Sequence, residues 1–188
     1  MNRREAILNL ALLLGSSLAG PRLLAAALDE TKKSSHGFGA ADLALLDEIG
    51  ETIIPATHIP GAKAVGIGAF MAMMVHDCYE PKEQAVFRGG LAKLAADFSA
   101  QHGGEFAQGA AVQRTEFLTV LDREQRAYTA KKTADQPAHY FRIMKDLTLI
   151  GYFTSEIGAT QALRHLEVPG AYRGSEPYKK GDRAWATS

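Results

Sequence analysis

Apolar residues recur at helical spacing along most of the chain, and the gaps between these runs are rich in glycine and proline. The first run, 42–54, places Leu43, Leu46, Ile49 and Ile53 on one face, and Pro55 closes it. After the turn Ile59-Pro-Gly-Ala62 a second helix is predicted over 64–79, with Phe70, Met71, Met73, Met74 and Val75 as adaptable core filler. Pro81 stands where a helix can begin, and 83–101 carries Val86, Phe87, Leu91, Leu94 and Phe98 before His102-Gly-Gly104 ends it. A fourth helix over 114–128 sets Phe117, Leu118, Leu121 and Tyr128 against an otherwise charged surface. Pro137 then opens a long helix through Tyr140, Phe141, Met144 and Leu147 to about His165. No stretch alternates as a strand does. The pattern predicts an all-α fold: a single helical domain of about five helices over 41–188, with a long irregular C-terminal tail at 168–188.

The end of the long helix carries a second pattern. Gly151, Ser155, Gly158, Ala159 and Ala162 would form one smooth stripe on a helix, open to close approach by another backbone. A glycine inside a helix costs about 1 kcal/mol relative to alanine, so two of them imply a gain in packing or contact. On spacing alone the stripe reads as a tightly packed core helix. Tyr152, Phe153 and Ile157 project from the neighbouring faces, with Glu156 among them. If buried there, Glu156 must be paired, hydrogen-bonded or neutral, and Arg164, two turns on, would have to reach back to it. A structural ion pair or an interface contact is expected of it rather than a catalytic base. The tail holds Tyr172, Tyr178 and Trp185 but has no helical period. It either wraps back on its own helices or meets a partner, where Tyr and Trp are favoured anchors.

The N-terminus follows a different rule. Arg3 and Arg4 stand just ahead of an apolar run from Ala6 to Ala19 that Asn9 and Gly15-Ser-Ser17 interrupt, and Ala25-Ala-Ala27 offers a cleavage site. This is the form of an export signal over 1–27, of the twin-arginine kind, followed by a polar linker at 28–40. An ordinary secretory signal and an uncleaved anchor are the alternatives. Cleavage after Ala27 removes three arginines and one glutamate, taking the formal net charge from 0 to −2. Such a balance gives no footing for nucleic acid. Cys78 is the only cysteine, which excludes an internal disulfide and a Cys-x-x-Cys-His haem site.

Three groups of words carry more than their spacing does: Gly151-Tyr-Phe-Thr-Ser-Glu-Ile-Gly-Ala-Thr160, Val168-Pro-Gly-Ala-Tyr-Arg-Gly174 and Gly181-Asp-Arg-Ala-Trp185. Together they resemble the carboxy-terminal signature of the gluconate 2-dehydrogenase subunit 3 family, with a match running from about Asp42 to Trp185. The resemblance implies a non-catalytic small subunit of a periplasmic or membrane-associated dehydrogenase acting on sugars, sugar acids or glycosides, held near the inner membrane through its complex. The implied partners are a large flavoprotein of the glucose-methanol-choline type carrying FAD, a cytochrome c-type subunit carrying haem, and the twin-arginine translocase. This chain itself would hold no cofactor. It would supply the export signal (Arg3, Arg4, Ala25 and Ala27) and stabilise the flavoprotein through Gly151, Tyr152, Phe153, Ser155, Glu156, Tyr172, Arg173, Tyr178 and Trp185. Family members often carry a cysteine after the glycine matching Gly174; here that place is Ser175, which leaves Cys78 without that partner.

Chemistry within the chain is sparse. Gly66-Ile-Gly68 lacks the third glycine of a dinucleotide fingerprint and has no strand before it. His36, His58, His76, His102, His139 and His165 are scattered, with no pair at helix-turn spacing. The competing reading is a stand-alone exported enzyme or metal-binding protein, for which His76, Cys78 and Glu156 are the reactive groups. The export hypothesis makes a direct prediction: replacing Arg3 and Arg4 with Lys should trap a flavoprotein partner in the cytoplasm, as followed by fractionation. Unaltered export of that partner removes the twin-arginine assignment.

Overall fold

The computed structural model describes residues 35–168, 170–171, 174–175 and 177–186. The proposed signal at 1–27, with Arg3, Arg4, Ala25 and Ala27, lies outside the described residues, as do Tyr172 and Arg173. Five α-helices follow one another: α1 (Ala40–Ile53), α2 (Ile67–Cys78), α3 (Pro81–His102), α4 (Ala111–Lys131) and α5 (Tyr140–Thr154). Short 3-10 turns at Ser35–Gly37, Ala62–Val65 and Phe106–Gln108 join them, and a π turn at Gly158–Ala162 ends the helical part. Among the described residues the all-α reading of about five helices therefore holds.

Side chains near the starts of the helices fix where they begin. The Asp42 carboxylate accepts the Gly39 N–H at 2.9 Å, Glu83 that of Glu80 at 3.3 Å and the Gln113 amide oxygen that of Ala110 at 3.0 Å. The first turn of α2 is satisfied from outside the helix, by Asp47 of α1 accepting the Gly68 N–H at 2.7 Å. Pro81 occupies the first turn of α3, and Gly103, with φ of 74°, closes that helix in the left-handed conformation.

Helix α5 is the centre of the bundle: it packs against all four other helices. Tyr140, Phe141, Ile143, Met144, Leu147, Thr148, Gly151 and Tyr152 are all buried along it. Around it lie Leu46 and Ile49 of α1, Met71 and Val75 of α2, Phe87, Leu91 and Leu94 of α3 and Leu118 and Leu121 of α4. Phe98, Phe106 and Phe117 close one end, the ring of Phe98 meeting the other two edge-on at 4.9 and 5.3 Å. Met73 and Tyr128, expected in the core, lie at its exposed border.

Two expectations need correction. The segment read as a linker up to residue 40 already belongs to the fold at its end: Phe38 is fully buried and edge-on to Phe87 at 5.9 Å. Arg88 lies 4.0 Å over the Phe38 ring and donates to the carbonyl of His36 at 3.0 Å and to that of Gly37, pinning the chain there. The helix predicted from Pro137 to His165 is also not continuous. It starts at Tyr140 because the Nδ1 of His139 accepts the Phe141 N–H at 3.2 Å, and it stops at Thr154 because Ser155 turns extended, with ψ of 159°.

Helices α3 and α5 approach closely at Gly90, where a Cβ would stand 2.1 Å from Cγ of Tyr140. Tyr140 itself is buried, which pushes its phenol up to about 12. Gly90→Ala should therefore cost about 2 kcal/mol through overpacking, seen as a fall in Tm of roughly 4–8 °C; an unchanged melting curve would show that the α3–α5 contact yields freely.

Candidate functional site

The residues singled out in 151–164 sit where α5 ends and the chain folds over itself. The Ser155 hydroxyl donates to the Tyr152 carbonyl at 2.6 Å and accepts the Gly158 N–H at 3.0 Å, so one side chain closes α5 and starts the next turn. Gly158 is required by contact: a Cβ there would lie 1.8 Å from the Tyr152 carbonyl oxygen. The small residues thus do not form one stripe. Gly151 faces α2, where a Cβ would come within 2.5 Å of both Ile67 and Phe70, and Gly158 faces the end of α5 itself.

Glu156 is exposed and Arg164 does not reach back to it. Of the two roles expected of Glu156, the ion pair with Arg164 is therefore not formed, and the break of the helix at Ser155 leaves its side chain in solvent. Arg164 pairs instead with Asp182, Nη2 to Oδ2 at 3.0 Å, and its guanidinium lies 5.3 Å from the centre of the Trp185 ring. The backbone makes the same link: Arg164 N–H donates to the Ala184 carbonyl at 2.7 Å and Ala186 N–H to that of Arg164 at 2.8 Å. Arg183 donates to the carbonyls of Gln161 at 2.5 Å and Thr160 at 3.4 Å, filling acceptors that the π turn leaves open. Residues 179–186 therefore strap the end of the helical part, yet Tyr178 is 76 % exposed and Trp185 46 %. Phe153 is also exposed, whereas Gly151 and Tyr152 are buried within this chain and can influence a partner only through what they hold in place.

What Tyr152 holds is the loop after α1. Its hydroxyl donates to the Pro60 carbonyl at 2.8 Å, and burial, followed by the nearby Glu51 charge, raises its pKa. Glu48 ion-pairs with Lys63 beyond the loop and with Arg114 of α4. Burial pushes the Glu48 carboxyl up, but the two cations outweigh it and hold the pKa below the usual value.

The histidines are not all separate. His36 and His76, forty positions apart in sequence, meet with ring centroids 5.3 Å apart, and His76 Nδ1 lies 2.7 Å from Asp77 Oδ1. Among the described residues no three His, Cys, Asp or Glu side chains gather as a metal site. One open groove is lined by Phe38, Asp42, Leu45 and Arg88, and a second by Thr52, Thr115, Asp122 and Lys145. In the second the charges are already used, Asp122 by Lys145 at 2.6 Å and Arg126 at 2.7 Å. No helix of the described residues is long and apolar enough to cross a membrane.

These features define a small all-helical protein built round one central helix, with a strapped end carrying exposed aromatic residues. The family model for gluconate 2-dehydrogenase subunit 3 matches residues 40–170, and the chain belongs to that family. The match begins where α1 begins and ends before Gly181-Asp-Arg-Ala-Trp185, so the expected extent to Trp185 exceeds the matched region. Comparison with curated proteins and with solved structures gives no match.

Trp185 is the only tryptophan, so its fluorescence reports the strap without interference. Arg164→Gln should release it, giving a red-shifted emission and stronger acrylamide quenching with helical circular dichroism retained; unchanged emission would mean that Arg164 does not hold the strap.

Proposed function

We propose that this chain is the non-catalytic small subunit of an exported, FAD-dependent dehydrogenase complex that oxidises a sugar, sugar acid or glycoside. Membership of the gluconate 2-dehydrogenase subunit 3 family carries this reading. In it the chain escorts a large flavoprotein of the glucose-methanol-choline type through the twin-arginine route and stabilises it in the periplasm, while a haem-bearing subunit takes the electrons onward. Aromatic side chains left open on Phe153, Tyr178 and Trp185 support the contact role, since Tyr and Trp anchor protein interfaces at small entropic cost. The chemistry of oxidation belongs to the flavin, and the part of this chain is to bind and position its carrier.

Co-expression of the full chain with a glucose-methanol-choline flavoprotein from the same source, purified through a tag on this chain, should give a complex with flavin absorption and sugar-oxidising activity. Deleting 172–188 should release the flavoprotein while leaving the helical circular dichroism largely intact. A flavoprotein that is exported, stable and fully active without this chain would refute the proposal.

A further inference from the structure

Ahead of α1, the 3-10 turn at Ser35–Gly37 packs against α2. His36 stands in this turn with φ of 65° and ψ of 29°, a left-handed conformation that residues with a Cβ rarely adopt. It is the only residue other than glycine with positive φ among the described residues. The strain is held from outside: Arg88 of α3 donates to the carbonyls of His36 and Gly37, and Phe38 is buried just beyond. Strain of this kind gathers at sites where one side chain is needed in a fixed place. What it places here is an imidazole whose centre lies 5.3 Å from that of His76, with the two rings inclined by 61°.

The two rings offer complementary nitrogens. Nδ1 of His36 is buried and has no hydrogen-bond partner among the described residues. A buried nitrogen left in this way is a cost unless water or an ion meets it. Nδ1 of His76 is engaged, with Asp77 Oδ1 2.7 Å away. The carboxylate accepts the Nδ1 proton, which leaves the lone pair of that ring on Nε2. A carboxylate behind a histidine is the arrangement that orients metal-binding imidazoles and strengthens them as ligands. With metal–nitrogen distances of about 2.0–2.1 Å, ring centres 5.3 Å apart correspond to an angle of roughly 110° at the metal, close to tetrahedral. The His76 side chain is half-exposed, so water can complete the coordination. The Arg88 charge works against a cation here and the Asp77 carboxylate for it.

We propose that Nδ1 of His36 and Nε2 of His76 form a two-histidine site for a divalent transition-metal ion such as Ni²⁺, Cu²⁺ or Zn²⁺, with Asp77 as the positioning residue behind it. Imidazole nitrogen selects these ions over Mg²⁺ and Ca²⁺, which take oxygen ligands. Two protein ligands rather than three make it an open site in exchange with solvent, not a closed structural centre. A bound ion would tie the turn ahead of α1 to α2. The site does not depend on the function proposed above.

The test uses the full chain without a histidine tag, titrated in a buffer containing Mg²⁺ with Ni²⁺ by calorimetry and with Co²⁺ by visible absorption. One ion should bind per chain, Ni²⁺ more tightly than Co²⁺, and the Tm should rise with ion concentration. His36→Asn, which keeps a residue that tolerates the left-handed backbone, and His76→Asn should each abolish the saturable titration with helical circular dichroism retained. Asp77→Asn should weaken binding by about tenfold or more. Cys78→Ser and His58→Asn, which remove an exposed thiol and an exposed imidazole outside the pair, should bind as the wild type does. A wild-type chain that takes up no Ni²⁺ overturns the proposal, as does undiminished binding by His36→Asn and His76→Asn. Binding lost in Cys78→Ser would assign the ion to the thiol and equally refute the pair.

Discussion

The packing of α5 against every other helix is the constraint on which this structure depends. On its packed face α5 buries Tyr140, Phe141, Ile143, Met144, Leu147, Thr148, Gly151 and Tyr152, while Arg142, Leu149 and Ile150 stay exposed on the other side. Close packing demands that something be small where two helices meet. Gly90 gives way to Tyr140 on one side and Gly151 to Ile67 and Phe70 on another, so large side chains on each helix lie against glycine on its neighbour.

The same crowding explains why α5 ends where it does. After Tyr152 the burial lapses at Phe153 and Thr154, and Ser155 offers the backbone an alternative partner. The chain turns, Gly158 comes against the Tyr152 carbonyl, and the π turn that follows is left with open carbonyls. Arg183 satisfies those of Thr160 and Gln161, and Arg164 holds the same stretch of tail through Asp182 and the backbone of Ala184 and Ala186. The strap thus follows from the premature end of the central helix, and its exposed aromatics are carried on a fixed rather than a loose segment.

Charge is used at the ends and edges of the bundle rather than within it. Glu48, Glu51 and Asp47 follow one another along α1, and each is taken by a different element: Lys63 and Arg114, the loop backbone, and the start of α2. Carboxylates that accept backbone N–H groups or meet two cations are committed to architecture, so a catalytic part for them would undo the loop they hold.

Most of the fold was legible in the sequence, because helical periodicity is local: Leu46, Ile49, Phe87, Leu94, Phe117 and Met144 were all placed correctly in the core by spacing alone. The family could be read as well, from short and unusual words. Spacing could not show that Ser155 breaks the last helix, because the same small residues fit a continuous stripe, and only the hydrogen bonds to Tyr152 and Gly158 distinguish the two. Nor could it show that Glu156 faces solvent, that Tyr152 reaches Pro60 ninety-two positions away, or that Arg164 meets Trp185. Those contacts join residues remote in sequence, and they are decided only when the helices have packed and the distances between them are set.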